Sequence, residues 1–472
     1  MMMQGSKVPI LCLLHIIMWL QKQTEVRQYN RNMGNPENRN IINPEKESAG
    51  LCMIAQACFG YYRAANRSEK RKHMEQEKQE YNRQMKPPVE VRYREELEAL
   101  RELDTGKKPL NWKLSPQAVR TFILGSREPL EWKGKEIVIR KKYLGNDALV
   151  ERCIITLAGN RGLMLVGEPG TAKTMLSELL SAAISGSSTN TIQGTAGTTE
   201  DMIKYSWNYA MLLAKGPCRE ALVPSPLYTG MEQGILTRFE EITRTPAEIQ
   251  DSLISVLSDK VLHIPELGEE GLLFAKAGFN VIATANTRDK GVNEMSSALK
   301  RRFNFETVMP VRDVAMEKQI ILNEVRELAM EHQMEMEPDE DVAELLASTY
   351  HELREGVSSM KHRIDRPAAV MSTAEAVSVY YQTMMTAYYY GDGAGAFSCS
   401  GTRKTKSASW EGQAGPVMDL GCLVQNLVGA VQKEGSEDLE RLRSYFQTVI
   451  RDKGEKEGGI WKEYYAARKY LK

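Results

Sequence analysis

The sequence predicts an α/β fold, a parallel sheet flanked by helices, followed by an α-helical region. Three stretches carry that reading. Leu163 to Val166 runs without polar alternation into Gly167-Glu168-Pro169-Gly170-Thr171-Ala172-Lys173-Thr174. Gly234 to Phe239 (GILTRF) leads into Glu240-Glu241, and Phe279 to Ala285 (FNVIATA) leads into Asn286. Short apolar runs of this kind suit strands buried on both faces, and helical periodicity takes over beyond Pro310.

The chain has 472 residues, enough for two or three domains. Lys+Arg and Asp+Glu both number 62, and this neutral balance argues against a dedicated nucleic-acid binder. The seven cysteines (12, 52, 58, 153, 218, 399 and 422) are scattered without a CxxC pair, which fits a reducing cytoplasm. The six histidines are dispersed as well, so neither a zinc site nor a Ser–His–Asp triad is signalled.

From the start, Val8 to Leu20 is an apolar run too short to span a bilayer comfortably, with no small-residue cleavage site after it. Residues 1–88 read as a tail, with Met33, Met74 and Met85 as alternative starts. No membrane association is expected. Residues 89–142 read as a helical extension: YREELEALREL is helical, and Ser115-Pro116 opens a second helix that Gly125 ends. Tyr143 to Leu157 is a turn and a helix, with Leu144 and Gly145 placed to flank a nucleotide base.

The Gly167–Thr174 stretch is G-x-x-x-x-G-K-[ST], a phosphate-binding loop. Its glycines let backbone N–H groups approach phosphates, and the following helix, Met175 to Ser185 closed by Gly186, adds favourable partial charge at its N-terminus. Lys173 would reach the β- and γ-phosphates and the Thr174 hydroxyl would ligate Mg²⁺. Thr189 to Thr195 reads as a second strand. Thr198 to Leu213 has helical spacing, with Met202, Tyr205 and Tyr209 on one core-packing stripe.

Adjacent acids at the end of a strand divide their labour in nucleotide hydrolysis. Glu240 would hold the magnesium ion and Glu241 would polarise the attacking water. Thr245-Pro246-Ala247-Glu248 reads as a capping box with proline at the first helical position, and Ile249, Leu253, Val256 and Leu257 then share a helical face. Val261 to Phe274 reads as a hairpin about Gly268. Asn286 stands just beyond a central strand, where ligands bind in open parallel sheets. Asn293 caps a segment ending Lys300-Arg301-Arg302-Phe303. Residues 311–390 are expected as a helical lid and 391–416 as a glycine-rich linker, whose GDGAG run lacks the preceding strand that a dinucleotide fingerprint needs. Residues 417–472 read as terminal helices.

LVGEPGTAKT, PSPLYTGMEQGILTRFEEITRTPAEIQDSLISVLSD, FNVIATANTRD and MSSALKRRFNF together resemble the MoxR-type AAA+ ATPases, with the YehL-like branch the nearest match. The resemblance covers roughly Tyr143 to Phe305, with motifs in the family's order, and extends more weakly over the lid to about Tyr390; residues 143–310 are expected as the AAA+ nucleotide-binding domain. It implies an AAA+ P-loop NTPase core followed by an α-helical lid, with ATP and Mg²⁺ as ligands. Lys173 and Thr174 would be the Walker A pair and Glu240 and Glu241 the Walker B pair. Asn286 would be sensor 1. Arg302, with Arg301 beside it, would be the arginine finger offered to a neighbouring subunit, and Arg366 would be the sensor 2 arginine at the start of a lid helix. The resemblance also implies a homo-oligomeric ring, most often a hexamer. Its work would be chaperone-like remodelling or maturation of a partner protein carrying a von Willebrand factor A domain. A nucleic-acid motor or restriction-type GTPase, and a nucleotide-dependent scaffold with little hydrolysis, are the alternatives.

Three points stand apart from the family's pattern. Glu240 replaces the usual aspartate, Arg238 stands in a strand expected to be apolar, and Arg301 and Arg302 cannot be ranked by spacing.

Overall fold

The computed structural model describes residues 86–286, 293–368, 371–390, 404–405, 418–432 and 436–471. The expectations for the Val8–Leu20 run, the alternative starts, Cys12, Cys52, Cys58 and Cys399, and the GDGAG run lie outside these residues. Among the described residues, no helix is long and apolar enough to cross a membrane.

Five strands form the central sheet: β1 (Gly162–Gly167), β2 (Thr191–Gln193), β3 (Leu236–Glu240), β4 (Asn280–Asn286) and β5 (Phe303–Val308). Their order is β5-β1-β4-β3-β2, and every neighbouring pair is parallel. In the register, Gly167 lies opposite both Asn286 and Val308, and Gln193 lies opposite Glu240. The carboxyl ends of β1, β3 and β4, with their three predicted functional segments, therefore share one edge. That is where ligands sit in open α/β sheets.

Pleating sends alternate β1 side chains into two cores. Leu163 and Leu165 join Phe122, Ile154, Leu176 and Leu180 on one face. Met164 joins Phe239, Val281 and Ala283 on the other. The first face is built by α1 (Arg94–Leu103), α2 (Pro116–Leu124), α3 (Asp147–Ala158) and α4 (Lys173–Ser185). As the sequence indicates, the Ser115 hydroxyl caps α2 by accepting from the Ala118 N–H at 3.2 Å, and Gly186 ends α4 in the left-handed conformation. Leu97, Leu100 and Trp112 pack into this same core, so residues 89–142 complete the α/β unit. They also hold an antiparallel hairpin, Leu130–Trp132 with Lys135–Ile137, which the helical reading missed.

The helical region comprises α5 (Val314–Glu331), α6 (Glu340–Glu355), α7 (Thr373–Tyr390) and α8 (Leu420–Val431). Asp313, Asp339 and Asp419 cap α5, α6 and α8 with their side chains. A single apolar core runs from Ile321 through Tyr350, Tyr380, Leu423 and Phe446 to Leu471. Buried residues of the segments 418–432 and 436–471 thus share the core of the preceding helices. Inside it, wholly buried Glu317 accepts two hydrogen bonds from Arg354 and one from Thr373, tying α5, α6 and α7 together.

Several local expectations are corrected. Thr198 to Leu213 is not one helix. It divides into a turn of helix at Glu200–Ile203, a strand at Tyr205–Trp207 and a short helix at Tyr209–Lys215, with the strand paired antiparallel to Leu222–Pro224. The Asn208 side chain caps the second helix by accepting from the Met211 N–H, which breaks any continuous helix. Tyr209 is therefore exposed and not core. The capping box at Thr245 does not form: Pro246 is the N-cap of a helix over Ala247–Asp251, and the buried Thr245 hydroxyl has no hydrogen-bond partner among the described residues. The helix then stops and resumes at Ile254–Ser258. Ser296, not Asn293, caps the segment before Arg301, while the Asn293 amide donates to the Thr245 carbonyl. The Val261–Phe274 hairpin is present, with a 3₁₀ connection over Pro265–Glu270.

Candidate nucleotide site

The phosphate-binding loop joins β1 to α4. Gly170 (φ +75°) and Ala172 (φ +63°) take the left-handed conformation that turns the loop before the helix starts. Lys173 is 6% exposed, and its ammonium folds over the loop, donating to the Glu168 carbonyl at 2.7 Å and the Gly167 carbonyl at 3.2 Å. The Thr171 hydroxyl donates to the Glu168 carbonyl at 2.8 Å. Pro169, between Glu168 and Gly170, needs no N–H in such a turn.

Glu240 and Glu241 split at the end of β3 and face different partners. Glu240 is 5% exposed and is held by four donors. Its Oε2 accepts from Thr174 Oγ1 (3.0 Å) and Thr284 Oγ1 (2.8 Å); its Oε1 accepts from Ser177 Oγ (2.7 Å) and Arg238 Nη2 (2.7 Å). Burial pushes the carboxyl up, but the Arg238 guanidinium and these hydroxyls outweigh it and hold it below the usual carboxylate range. Glu240 is therefore an anion at neutral pH. Arg238, the unexplained residue of the strand, is its counter-charge.

Glu241 leaves the strand in the left-handed conformation, φ +56°, unusual for a residue with a side chain. Space for that backbone comes from Gly194, where a Cβ would lie 2.4 Å from the Glu241 carbonyl oxygen. The Thr284 hydroxyl accepts from the Glu241 N–H at 2.9 Å, and Arg244 Nε stands 3.5 Å from its carboxylate. Asn286 Nδ2 donates to both Glu241 oxygens, at 2.9 and 3.0 Å. The loop, the two acids and Asn286 thus meet at one sheet edge.

The other predicted residues lie elsewhere. Leu144 and Gly145 stand just ahead of α3, with Gly145 against the Tyr143 ring. Arg301 and Arg302 precede β5, whose first residue pairs with Gly162 and whose last pairs with Gly167. They therefore sit at the opposite edge of the sheet, roughly 17 Å along the strand from the loop. Arg302 is engaged within its own chain, donating to Ser258 Oγ (2.8 Å) and the Ala298 carbonyl (2.6 Å). Arg301 is exposed and has no side-chain partner among the described residues. The sensor 2 placement is corrected. Arg366 is not at a helix start: it lies in irregular chain and donates to the Glu355 carbonyl, and α7 begins only at Thr373. The residue at that helix start which approaches the loop is Ser372, against Gly170. Sequence reasoning also passed over Ser177 and Thr284. A serine one turn beyond the loop lysine and a threonine inside FNVIATA were the available signals.

Residues 162–303 match the AAA domain (dynein-related subfamily), and residues 315–401 match the YehL-like AAA+ ATPase C-terminal domain. The protein YehL of Escherichia coli (strain K12) is 45% identical over 391 residues, covering 83% of this chain and 98% of that protein. The chain belongs to the YehL-like AAA+ ATPases. A more distant relative, SH1500 of Staphylococcus haemolyticus (strain JCSC1435), is 29% identical over 35% of this chain and 62% of its own length. Among solved structures, NtrX from Brucella abortus in complex with ADP covers 66% of this chain and 62% of its own, at 11% identity and a TM-score of 0.38, too remote to bear on function. Membership of the YehL-like AAA+ family supports a nucleotide-dependent activity for the site at the ends of β1, β3 and β4.

Proposed function

We propose that this chain is a Mg²⁺-dependent ATPase, working as a homo-oligomeric, six-membered assembly in the cytoplasm, that spends ATP hydrolysis on remodelling or maturing a partner protein. The observation that carries the reading is the Asn286 amide holding the Glu241 carboxylate beside a Glu240 that touches Thr174. The nucleotide-binding domain would be residues 143–310, with 89–142 as its extension, 311–390 as the lid, 391–416 as the linker and 417–472 completing the helical region.

The residues fit the ligands proposed for them. The loop presents backbone N–H groups at the N-terminus of α4 and a buried lysine already bent over the turn, a setting for phosphate oxygens. Thr174 Oγ1 and Glu240 Oε2, 3.0 Å apart, are the hard oxygen donors that magnesium prefers, with water completing its shell. When bound, magnesium supplies neutralisation of phosphate charge; Thr174 and Glu240 would hold it.

Lys173 would exchange its loop carbonyls for the β- and γ-phosphates. Glu241 would orient water for in-line attack on the γ-phosphorus, whose bond to the bridging oxygen breaks to leave ADP. Asn286 would set the Glu241 carboxylate and face the γ-phosphate. Leu144 and Gly145 would flank the base, and Arg366 would enter the site only on movement of the lid.

An arginine from a neighbouring subunit would complete the charge balance, an effect worth about 10³–10⁵ in rate. The opposite-edge location of Arg301 and Arg302 supports action across an interface, since neither reaches its own loop. Of the two, the unengaged Arg301 is the better finger. By resemblance, the partner protein carries a von Willebrand factor A domain.

Turnover of wild type and Glu241→Gln tests the reading. The variant should keep ATP binding and lose phosphate release, and equal turnover would remove Glu241 from its role.

A further inference from the structure

A guanidinium buried within a central strand is costly unless its donors are met. In Arg238, which is 4% exposed, each of the three nitrogens donates. Nε bonds Ser177 Oγ at 2.9 Å, Nη1 the Ser188 carbonyl at 2.7 Å and Nη2 Glu240 Oε1 at 2.7 Å. The planar fork is thus fixed by α4 on one side and by the chain leading to β2 on another. A lysine could not span these three acceptors.

The consequence falls on Glu240. Oε1 is committed to Arg238 and Ser177, so Oε2 is the oxygen turned toward Thr174. Arg238 and Glu240 together carry no net charge. Glu178 stands farther off, 3.7 Å from Nη2, and is one-fifth exposed. A divalent cation arriving beside Thr174 therefore meets a neutral pair. Among the described residues, no group of three or more His, Cys, Asp or Glu is arranged to hold a metal. Glu240 Oε2 is the one oxygen of this pair that faces Thr174, and nucleotide phosphates would supply the further anionic oxygens.

We propose that Arg238 is a positioning residue for the Glu240–Thr174 pair, aiming Oε2 at Thr174 and cancelling the acid's charge so that the site takes a divalent cation only together with nucleotide phosphates. The proposal rests on the ATPase reading above.

The test is a Mn²⁺ titration of the nucleotide-free full chain, with free Mn²⁺ followed by electron paramagnetic resonance. Wild type should show no specific site, whereas Arg238→Gln should gain one at least about tenfold tighter than any in wild type. Identical titrations overturn the proposal. Should Arg238→Gln fail to fold, Arg238→Lys decides, because it keeps the charge and loses the fork. Its Mn²⁺ titration and KM for ATP should match wild type while kcat falls about tenfold. A wild-type kcat in Arg238→Lys overturns the positioning role. Failure of wild type to bind ATP would instead sink the ATPase reading, whereas normal turnover with no effect of either variant would remove Arg238 alone.

Discussion

Ser372 occupies the place that a side chain on Gly170 would need: a Cβ built on the glycine would stand 2.2 Å from the serine's Cβ. Through this contact the residue ahead of α7 rests on the phosphate-binding loop, and the loop's turn is closed to any larger residue.

Gly170→Ala should therefore weaken nucleotide binding. The left-handed φ of +75° costs alanine about 1–2 kcal/mol before the clash with Ser372 is counted. Calorimetric titration with a non-hydrolysable ATP analogue should show an affinity loss of about tenfold or more. An unchanged Kd would mean that the loop and α7 separate at no cost.

Asn286→Ala removes the amide that bonds both Glu241 oxygens. Single-turnover hydrolysis should slow by about 10²-fold, with nucleotide affinity within about twofold of wild type. A large change in Kd with an unaltered chemical step would assign Asn286 to binding.

The two adjacent arginines should separate in a stability assay. Arg302→Ala loses bonds to Ser258 and Ala298 and should lower the melting temperature, whereas Arg301→Ala should leave it unchanged. Arg301→Ala subunits should still bind ATP and hydrolyse it poorly. Mixed with Glu241→Gln subunits, they should regain part of the turnover. No recovery at any mixing ratio would argue against a finger acting between subunits.

A pH dependence follows from Glu352 in the helical region. Burial pushes its carboxyl up, yet the Lys453 ammonium at 2.9 Å, the Ser359 N–H and the Tyr445 hydroxyl together hold it below the usual carboxylate range. Because the folded value is depressed, the stabilisation is complete above the ordinary carboxylate pKa of about 4.3 and is lost as pH falls through the folded value. In urea titrations, wild type should lose stability on acidification across that window, and Lys453→Met should show a smaller decline. Parallel pH profiles for the two proteins would exclude the pair as its source.

Much of the candidate site's geometry was legible because its residues are local in sequence. The loop, the acids and Asn286 each stand at the end of an apolar run, and a parallel sheet brings such ends to one edge. Arg238 was not legible, since its partners Ser177 and Ser188 lie in other elements and only packing joins them. The break at Asn208 was hidden by apolar spacing that fits a helix equally well. The placement of Arg366 rests on the resemblance of Arg363 to Pro367 to the family's motif, without a signal for where α7 starts. The core shared between the expected lid and the terminal helices was not legible, because sequence distance conceals such sharing.

That shared core bears on biosynthesis. The sheet has all its strands once Val308 has emerged from the ribosome, so the phosphate loop can form early. The helices from Val314 to Tyr390 cannot seal their interior until the stretch ending at Leu471 follows. For that interval the nascent chain carries a nearly finished nucleotide cradle beside an unsealed helical partner, which makes the late-arriving segment the step at which a chaperone or a protease would find its opening.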